Sequence, residues 1–570
     1  MFLLLLLAGL FSLCGILPTE IASAEAARIR IAPLNPRFVE WREEQRQNNI
    51  LQSASRPLSS RRVPDPIDWS HLAHAQYRLL TETLPDSYNS DAVTAVRDQS
   101  PFGTCWVFAA LASLESTQKK SGATPDFEFS VRHLAWFAYN DYNNMPSFTP
   151  SGYDIYNLGG NQSKLAAVLT RGTGPVSEEL SPYEYDEENF MAPADPALPR
   201  ALDVTAVYRF YIPPLRDGVD PLEDRRPIYD IIKHLIMTEG AVTVDFCAAS
   251  GGLTPDGHSD YFYAPNAAYY YPNPTNPNHD VVIVGWDDNY PRTKFSPGNQ
   301  PPGDGAWVIK NSWGEGWGKD GFFYLSYYDA NIGSELALYK GHPAYSYKTM
   351  YLHDPLGDVI AFLDMVGAGI DDGDDIEEFG AVWGANVFTA VEDGRIEAVA
   401  FNTRYPNTEF EIRVYSNLAN RENPSSGALK AVQTGEGIHA GYHTIPLDTP
   451  VLVRSGDIFS VAIKKLSPDD APVLFPMEGR IPGYSDKATS KPGESFISRE
   501  KDVKYDSKWI DLYSLSSVDD IRLTNLCIRA LANPAVIPPV PSGGGGGCNA
   551  GMASMAIFAV FALVIRRMII

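Results

Sequence analysis

Three short segments, far apart in this chain of 570 residues, each combine glycine and tryptophan with one reactive or polar side chain. They are Gln99-Ser-Pro-Phe-Gly-Thr-Cys105-Trp106, Asn278-His279-Asp280-Val-Val-Ile-Val-Gly-Trp286 and Trp307-Val-Ile-Lys-Asn311-Ser-Trp313-Gly-Glu-Gly-Trp317-Gly. A fold that joins them must bring together side chains 174 positions apart (Cys105 and His279) and 206 apart (Cys105 and Asn311). What it then assembles is a thiol, an imidazole and an amide, the parts of a nucleophilic site.

A free thiol has a pKa of about 8.5 and reacts as the thiolate, so Cys105 needs help. Residues 105–120 read as a helix, with Val107, Leu111 and Leu114 on one face, Lys119 and Lys120 in the last turn and Gly122 as the stop. Cys105 would open that helix, where backbone N–H groups favour an anion. A protonated His279 beside it would lower the thiol pKa further. His279 is the expected acid and base, oriented through its other nitrogen by the Asn311 amide oxygen. Gln99, six positions before Cys105, is expected to offer a side-chain N–H to the oxyanion of a tetrahedral intermediate. Trp313 is expected to cover the His279–Asn311 bond.

These segments resemble the papain family of cysteine peptidases. The family's nucleophile signature, Cys-Gly-(Ser/Ala)-Cys-(Trp/Tyr), reads Phe102-Gly103-Thr104-Cys105-Trp106 here, so Phe102 stands where the family has a disulfide-forming cysteine. The run from Asn311 to Gly318 is intact. The resemblance spans about Val63 to Gly341. It implies two lobes, one helical with Cys105 and one β-rich with His279 and Asn311, and an open cleft between them. It marks Gly159 and Gly160 as a pair whose backbone binds extended substrate, and it counts Trp313 and Trp317 with the substrate-binding residues. In relatives a small apolar residue follows the catalytic histidine and borders the pocket for the second residue upstream of the cut. The acid Asp280 would favour basic side chains there, or raise the His279 pKa, unless it faces solvent or pairs with a nearby base. The spacing from Cys105 to His279 exceeds the family's roughly 130–150, and the excess is placed in loops 141–156, 251–277 and 289–304.

Five cysteines do not make a disulfide scaffold, and Cys247 and Cys527 are expected to be free. A net charge of −24 argues against a nucleic-acid partner. No metal or cofactor is expected. The other histidines show no ligand spacing, and Asp371-Asp-Gly-Asp-Asp-Ile-Glu-Glu378 lacks the EF-hand order and reads as a solvated acidic loop.

The two ends speak for export. Phe2 to Leu17 is almost wholly apolar, Pro18 breaks it, and Ala22-Ser23-Ala24 precedes Glu25, so 1–24 reads as a signal peptide. Residues 25–62 read as a short pro-segment without the long helical inhibitor pattern of relatives. It ends at Arg61-Arg62, and Val63-Pro-Asp-Pro-Ile-Asp-Trp69 resembles a mature N-terminus. After a proline- and glycine-rich linker (534–547) come Cys548, an apolar stretch to Ile565, and Arg566-Arg567. Residues 548–570 resemble the glycine-rich sorting tags of some Gram-negative bacteria, and a permanent single-pass anchor is the alternative. Either makes a membrane the partner of this segment and places the rest outside the cytoplasm.

Between 345 and 533 short alternating runs are separated by turn residues: Ala385–Thr389, Arg395–Phe401, Phe410–Tyr415, His443–Leu447 and Asp457–Ile463. They read as an antiparallel β-sandwich, and the segment resembles the lectin-like domain found after some bacterial papain-type peptidases. It would bind surface glycan or protein, or serve as a stalk. The expected class is α+β: a two-lobed papain-like peptidase (63–341) followed by the sandwich. The expected function is an exported, surface-tethered endopeptidase that cuts polypeptides through a Cys105 thioester. The alternative is a surface adhesin whose peptidase mainly processes itself.

Overall fold

The computed structural model describes residues 29–48, 62–77, 83–123, 127–148, 154–184, 192–249, 260–342, 347–364, 382–468, 471–515 and 521–537. The expected signal peptide, the acidic run 371–378 and the tail 548–570 lie outside the described residues. Among the described residues no helix is long and apolar enough to cross a membrane.

Five α-helices are described: α1 (Pro36–Asn48), α2 (Cys105–Lys120), α3 (Val131–Tyr139), α4 (Gln162–Thr170) and α5 (Pro221–Thr238). Most begin where a side-chain oxygen can accept an orphan N–H. Ser130 caps α3, Asn161 caps α4 and Asp220 caps α5. The expected helix over 105–120 is present with those bounds. Gly122, at φ +73°, follows its C-cap Ser121, and its N–H bonds the Lys119 carbonyl. A residue with a Cβ is strained in that left-handed conformation, which is why glycine ends the helix here. The amphipathic reading was too narrow, because α2 is buried on nearly every side from Cys105 to Gln118.

α2 lies against two strands, Leu336–His342 and His279–Asp287. Its small polar residues satisfy their backbone. Ser113 Oγ donates to the Ala241 carbonyl at 2.6 Å and accepts from Tyr339 N at 3.1 Å, and Thr117 Oγ1 donates to the Tyr339 carbonyl at 2.8 Å. On the other side of His279–Asp287 follow Ala306–Lys310 and Phe322–Ser326. This β-rich lobe has its own apolar core, built on Phe246, Trp286, Trp307, Phe323 and Tyr327.

The region beyond 347 is antiparallel. Four of the five expected strand runs lie within Val382–Thr389, Gly394–Thr403, Thr408–Ser416 and Ala440–Val453, and the fifth begins one residue before Ile458–Leu466. The expected boundary near 341–345 is nevertheless crossed twice. Ala440 to His443 pairs with Ala206 to Arg209, so one 13-stranded sheet runs through both regions. At that seam Gly441 has φ +120°, and a Cβ would meet the Val207 carbonyl oxygen at 2.1 Å. The helical lobe also shares its core with the later region: Trp106, Leu111 and Leu165 belong to the same cluster as Phe401, Ile412 and Phe459.

The expected pro-segment is docked on the later region. Ile29–Ile31 pairs antiparallel with Ile360–Asp364 in a four-stranded sheet. Phe38 on α1 is fully buried, edge-on to Tyr484 at 5.1 Å.

One buried ion pair ties the later region to α4. Arg529 meets Asp354 through Nε at 3.1 Å and Nη2 at 2.7 Å, while Nη1 donates to Thr170 Oγ1 at 2.8 Å. Removing one partner strands a charge, which costs about 3–5 kcal/mol. Asp354→Ala is therefore expected to lose about that much stability by urea unfolding, whereas a loss below about 1 kcal/mol would show the pair to be incidental.

Candidate active site

The three segments converge. Cys105 is the first residue of α2, after Thr104, and His279 opens the strand His279–Asp287 that packs on that helix. Asn311 directly follows the strand Ala306–Lys310, which pairs with His279–Asp287.

His279 Nε2 lies 2.8 Å from Asn311 Oδ1. The same oxygen accepts the Ser312 N–H at 2.8 Å, which fixes it as the amide oxygen. Nε2 must therefore carry the ring proton. Nδ1 is left as the basic nitrogen, buried and without a hydrogen-bond partner among the described residues. Trp313 stacks on the ring at 4.6 Å and 23°, as expected of a cover. Burial pushes the His279 pKa down to about 4, partly offset by the Asn311 bond.

The Cys105 sulfur accepts backbone hydrogen bonds from Trp106, in the first turn of α2, and from Asp280. These contacts favour the thiolate, as the helix start predicts. Burial and then the Asp280 carboxylate outweigh them and push the thiol up to about 12. The expectation of a lowered pKa is thus reversed in this form. Cys105 is 4 % exposed and His279 is fully buried, and both are shifted by burial toward their neutral forms.

Gln99 is held by hydrogen bonds on both its backbone and its side chain, one of them from Phe102 N to its carbonyl at 2.9 Å. Its N–H donates to the Ser312 carbonyl at 2.8 Å, its carbonyl accepts from Tyr183 Oη at 2.9 Å, and its Oε1 accepts from Ser312 Oγ at 2.7 Å. Its Nε2 donates to the Phe102 carbonyl at 3.0 Å, which leaves a second N–H on that nitrogen. Phe102, in place of the family cysteine, packs on Tyr156 at 5.3 Å. Sequence reading missed Ser312 and Tyr183 in this frame.

The expected open cleft is filled. Val63 N donates to the Gly160 carbonyl at 3.1 Å, so one of the two glycines marked for extended substrate holds this chain's own backbone. Gly160 cannot carry a side chain, since a Cβ would lie 2.4 Å from Trp106. Gly159, at φ +77°, gives its carbonyl to Tyr139 Oη at 2.6 Å.

Asp280 neither faces solvent nor lifts the histidine. Its carboxylate meets Arg62 Nε at 3.3 Å from both oxygens, so the paired reading holds. Arg62 also approaches Asp245 at 3.3 Å and Glu335 at 2.5 Å, the last contact lying off a hydrogen-bond line. Asp245 and Glu335 were missed. The signal for Asp245 was a lone acid within the strand-like run Val242–Phe246, and for Glu335 an acid directly before the run from Leu336.

Trp317 requires correction as a substrate-binding residue. It is 5 % exposed and stacked on Phe262 at 5.0 Å, edge-on to Trp313, so it backs Trp313 rather than lining a surface. Cys247 and Cys527 are buried and free, as expected.

Comparisons with known proteins agree with this geometry. The family described as papain family cysteine protease matches residues 230–338, and the lectin-like domain family matches residues 370–532. A cysteine protease of Blomia tropicalis is 26 % identical over 249 residues, 43 % of this chain and 61 % of the relative. Cathepsin J of Rattus norvegicus is 26 % identical over 240 residues, 41 % of this chain and 57 % of the relative. The chain thus spans about three-fifths of these curated relatives. The crystal structure of the cysteine protease and lectin-like domains of Cwp84, a surface layer associated protein of Clostridium difficile, matches with a TM-score of 0.67. It is 22 % identical and covers 89 % of this chain and 98 % of its own. That likeness extends the shared fold across both regions.

With the thiol held up to about 12, iodoacetamide should alkylate Cys105 of the intact chain more slowly at pH 7 than it alkylates glutathione. The rate should still be climbing above about pH 9. A rate plateau below pH 7 would reveal a preformed thiolate–imidazolium pair and overturn this assignment.

Proposed function

Because the chain carries a papain-family cysteine protease domain continuous with a lectin-like domain, we propose that it is an exported cysteine endopeptidase that hydrolyses peptide bonds through a Cys105 thioester. The observation that carries this reading is the fixed tautomer of His279. Asn311 Oδ1 accepts the hydrogen bond from Nε2–H and leaves Nδ1 as the basic nitrogen at the start of the strand that packs on the Cys105 helix.

The chemistry follows from those atoms once the segment over the cleft has moved. His279 Nδ1 takes the thiol proton as the sulfur attacks a peptide carbonyl carbon. The oxyanion is met by the spare Gln99 Nε2–H and the Cys105 main-chain N–H, which at the first helical position has no intrahelical acceptor. The imidazolium gives its proton to the leaving amine, the carbon–nitrogen bond breaks and a thioester remains. Water, deprotonated by the same nitrogen, then releases the acid and restores the thiol. Trp313 keeps solvent from the Nε2–Oδ1 bond throughout. Gly159 and Gly160 would hold extended substrate by backbone bonds.

Export is supported by the apolar stretch Phe2–Leu17 with its Ala22-Ser23-Ala24 site, and tethering by the glycine run and apolar C-terminal segment. Cwp84, with its similar arrangement of both domains, is a surface layer associated protein. Polypeptides are the proposed substrates, and the lectin-like region is the proposed contact to surface glycan or protein.

Turnover of a peptide library by the purified mature form tests the reading. Cys105→Ala should abolish turnover and labelling by an epoxide thiol inhibitor. Gln99→Ala should lower kcat by about 10²–10³, the usual effect of losing one oxyanion donor. Glycan-array binding without any peptide turnover would favour the adhesin instead.

A further inference from the structure

Among the described residues, Arg62 is the cation that meets three buried carboxylates, and Arg209, paired with Asp65, adds a second positive charge near Glu335. The Arg62 side chain is 3 % exposed, and those of Asp245, Asp280 and Glu335 are at most 2 % exposed. Asp245 and Asp280 are directly paired across adjacent strands, a position where like charges repel. Glu335 accepts the Asp65 N–H at 2.7 Å, Asp245 accepts from Glu335 N at 2.9 Å, and Gln162 donates to Asp280. With Asp65 and Arg209 included, two guanidiniums face four acids, which leaves two acids uncompensated. Burial accordingly pushes the Asp280 carboxyl up to about 6 and that of Glu335 to about 8. Packing alone does not explain such a cluster, since apolar residues of like size would fill the space at less cost.

Its place in the site does. Asp280 follows His279 in the chain, and its N–H bonds the Cys105 sulfur. Gly160, whose carbonyl holds Val63, sits next to Asn161, whose Nδ2 holds the Pro64 carbonyl at 3.1 Å. The two residues that follow Arg62 are therefore held at the site's own glycine and its neighbour, which fixes where the guanidinium can reach. The three guanidinium nitrogens go to three different acids: Nε to Asp280, Nη1 to Asp245 and Nη2 to Glu335. A planar fork meets that arrangement, whereas an ammonium group can only occupy its centre.

We propose that Asp245, Asp280 and Glu335 form a specificity pocket for an arginine side chain of the substrate, at the second residue upstream of the cut, and that Arg62 occupies this pocket in cis. The chain thus covers its own nucleophile with a mimic of the side chain it selects. This rests on the endopeptidase reading above. It departs from the small apolar residue expected after the histidine, and it turns the segment ending near Arg62 from a passive leader into a competitor for the substrate.

The test uses the full chain, its Arg62→Ala and Arg62→Lys variants, and peptides differing only in Arg, Lys or Leu at that position. Arg62→Ala should cut the Arg peptide at least about tenfold faster than the parent does, and should prefer Arg over both Lys and Leu by about tenfold or more, the value of one charge-assisted hydrogen bond. Methylguanidinium should raise its thermal midpoint and leave that of the parent unchanged. Adding Asp280→Asn should erase the Arg preference and the methylguanidinium effect. If Arg62→Ala does not fold, Arg62→Lys keeps a charge in the pocket without the fork, and it too should cut the Arg peptide faster than the parent. Cleavage of the Leu peptide with no Arg preference overturns the pocket and leaves the endopeptidase standing. Stabilisation by methylguanidinium with no cleavage of any peptide supports the pocket and sinks the endopeptidase. No faster cleavage of the Arg peptide by whichever Arg62 variant folds overturns the blockade.

Discussion

The site hangs on the register of one strand. His279–Asp287 pairs with Val242–Phe246 so that His279 stands opposite Phe246 and Asp280 opposite Asp245. Its other edge takes Ala306–Lys310, which delivers Asn311. Successive residues of a strand point to opposite faces, so the two neighbours serve different purposes. The imidazole meets Asn311 and Trp313, and the carboxylate meets Arg62. A slip of one residue would exchange them and destroy both sets of contacts. Eight of the nine residues of this strand are buried, which holds the register against such a slip.

What locates the candidate catalytic groups is local in character and was therefore legible. The helix over 105–120 follows from its apolar spacing, its terminal lysines and a glycine stop. The strands beyond 382 follow from alternation with turn residues between. The Asn311–Gly318 run carries its own geometry, with Trp313 on the histidine ring. The charge state of the site was not legible, because it depends on what fills the cleft. Arg62 lies far in sequence from Asp245, Asp280 and Glu335, and no period or motif links them. The same holds for the shared core and the seam at Gly441, where residues near 206 and 442 pair. Long-range pairing is set by the whole fold, and alternation along a strand does not name its neighbour. Trp317 shows the converse: it was counted with the substrate-binding residues because it shares a motif with Asn311 and Trp313, yet Phe262 and Phe323 enclose it.

The segment before the peptidase has a physical role that its length concealed. It is tied down at both described ends. Ile29–Ile31 adds a strand to Ile360–Asp364, Phe38 packs on Tyr484, and Arg62 is sealed among carboxylates. Tyr484 in turn shares a hydrogen bond with Asn161, the cap of α4 next to Gly160. The later region thus supports the wall of the cleft as well as the segment that fills it. It also raises the energetic cost of lifting that segment, because strand, ring and ion contacts all have to give way.

The backbone ladder that passes Gly441 without interruption leaves no elastic joint between the two halves of the molecule. Any rotation of the lectin-like region turns the strands of the other region through the same angle, and a pull on one end is felt as shear along the very sheet that carries His279.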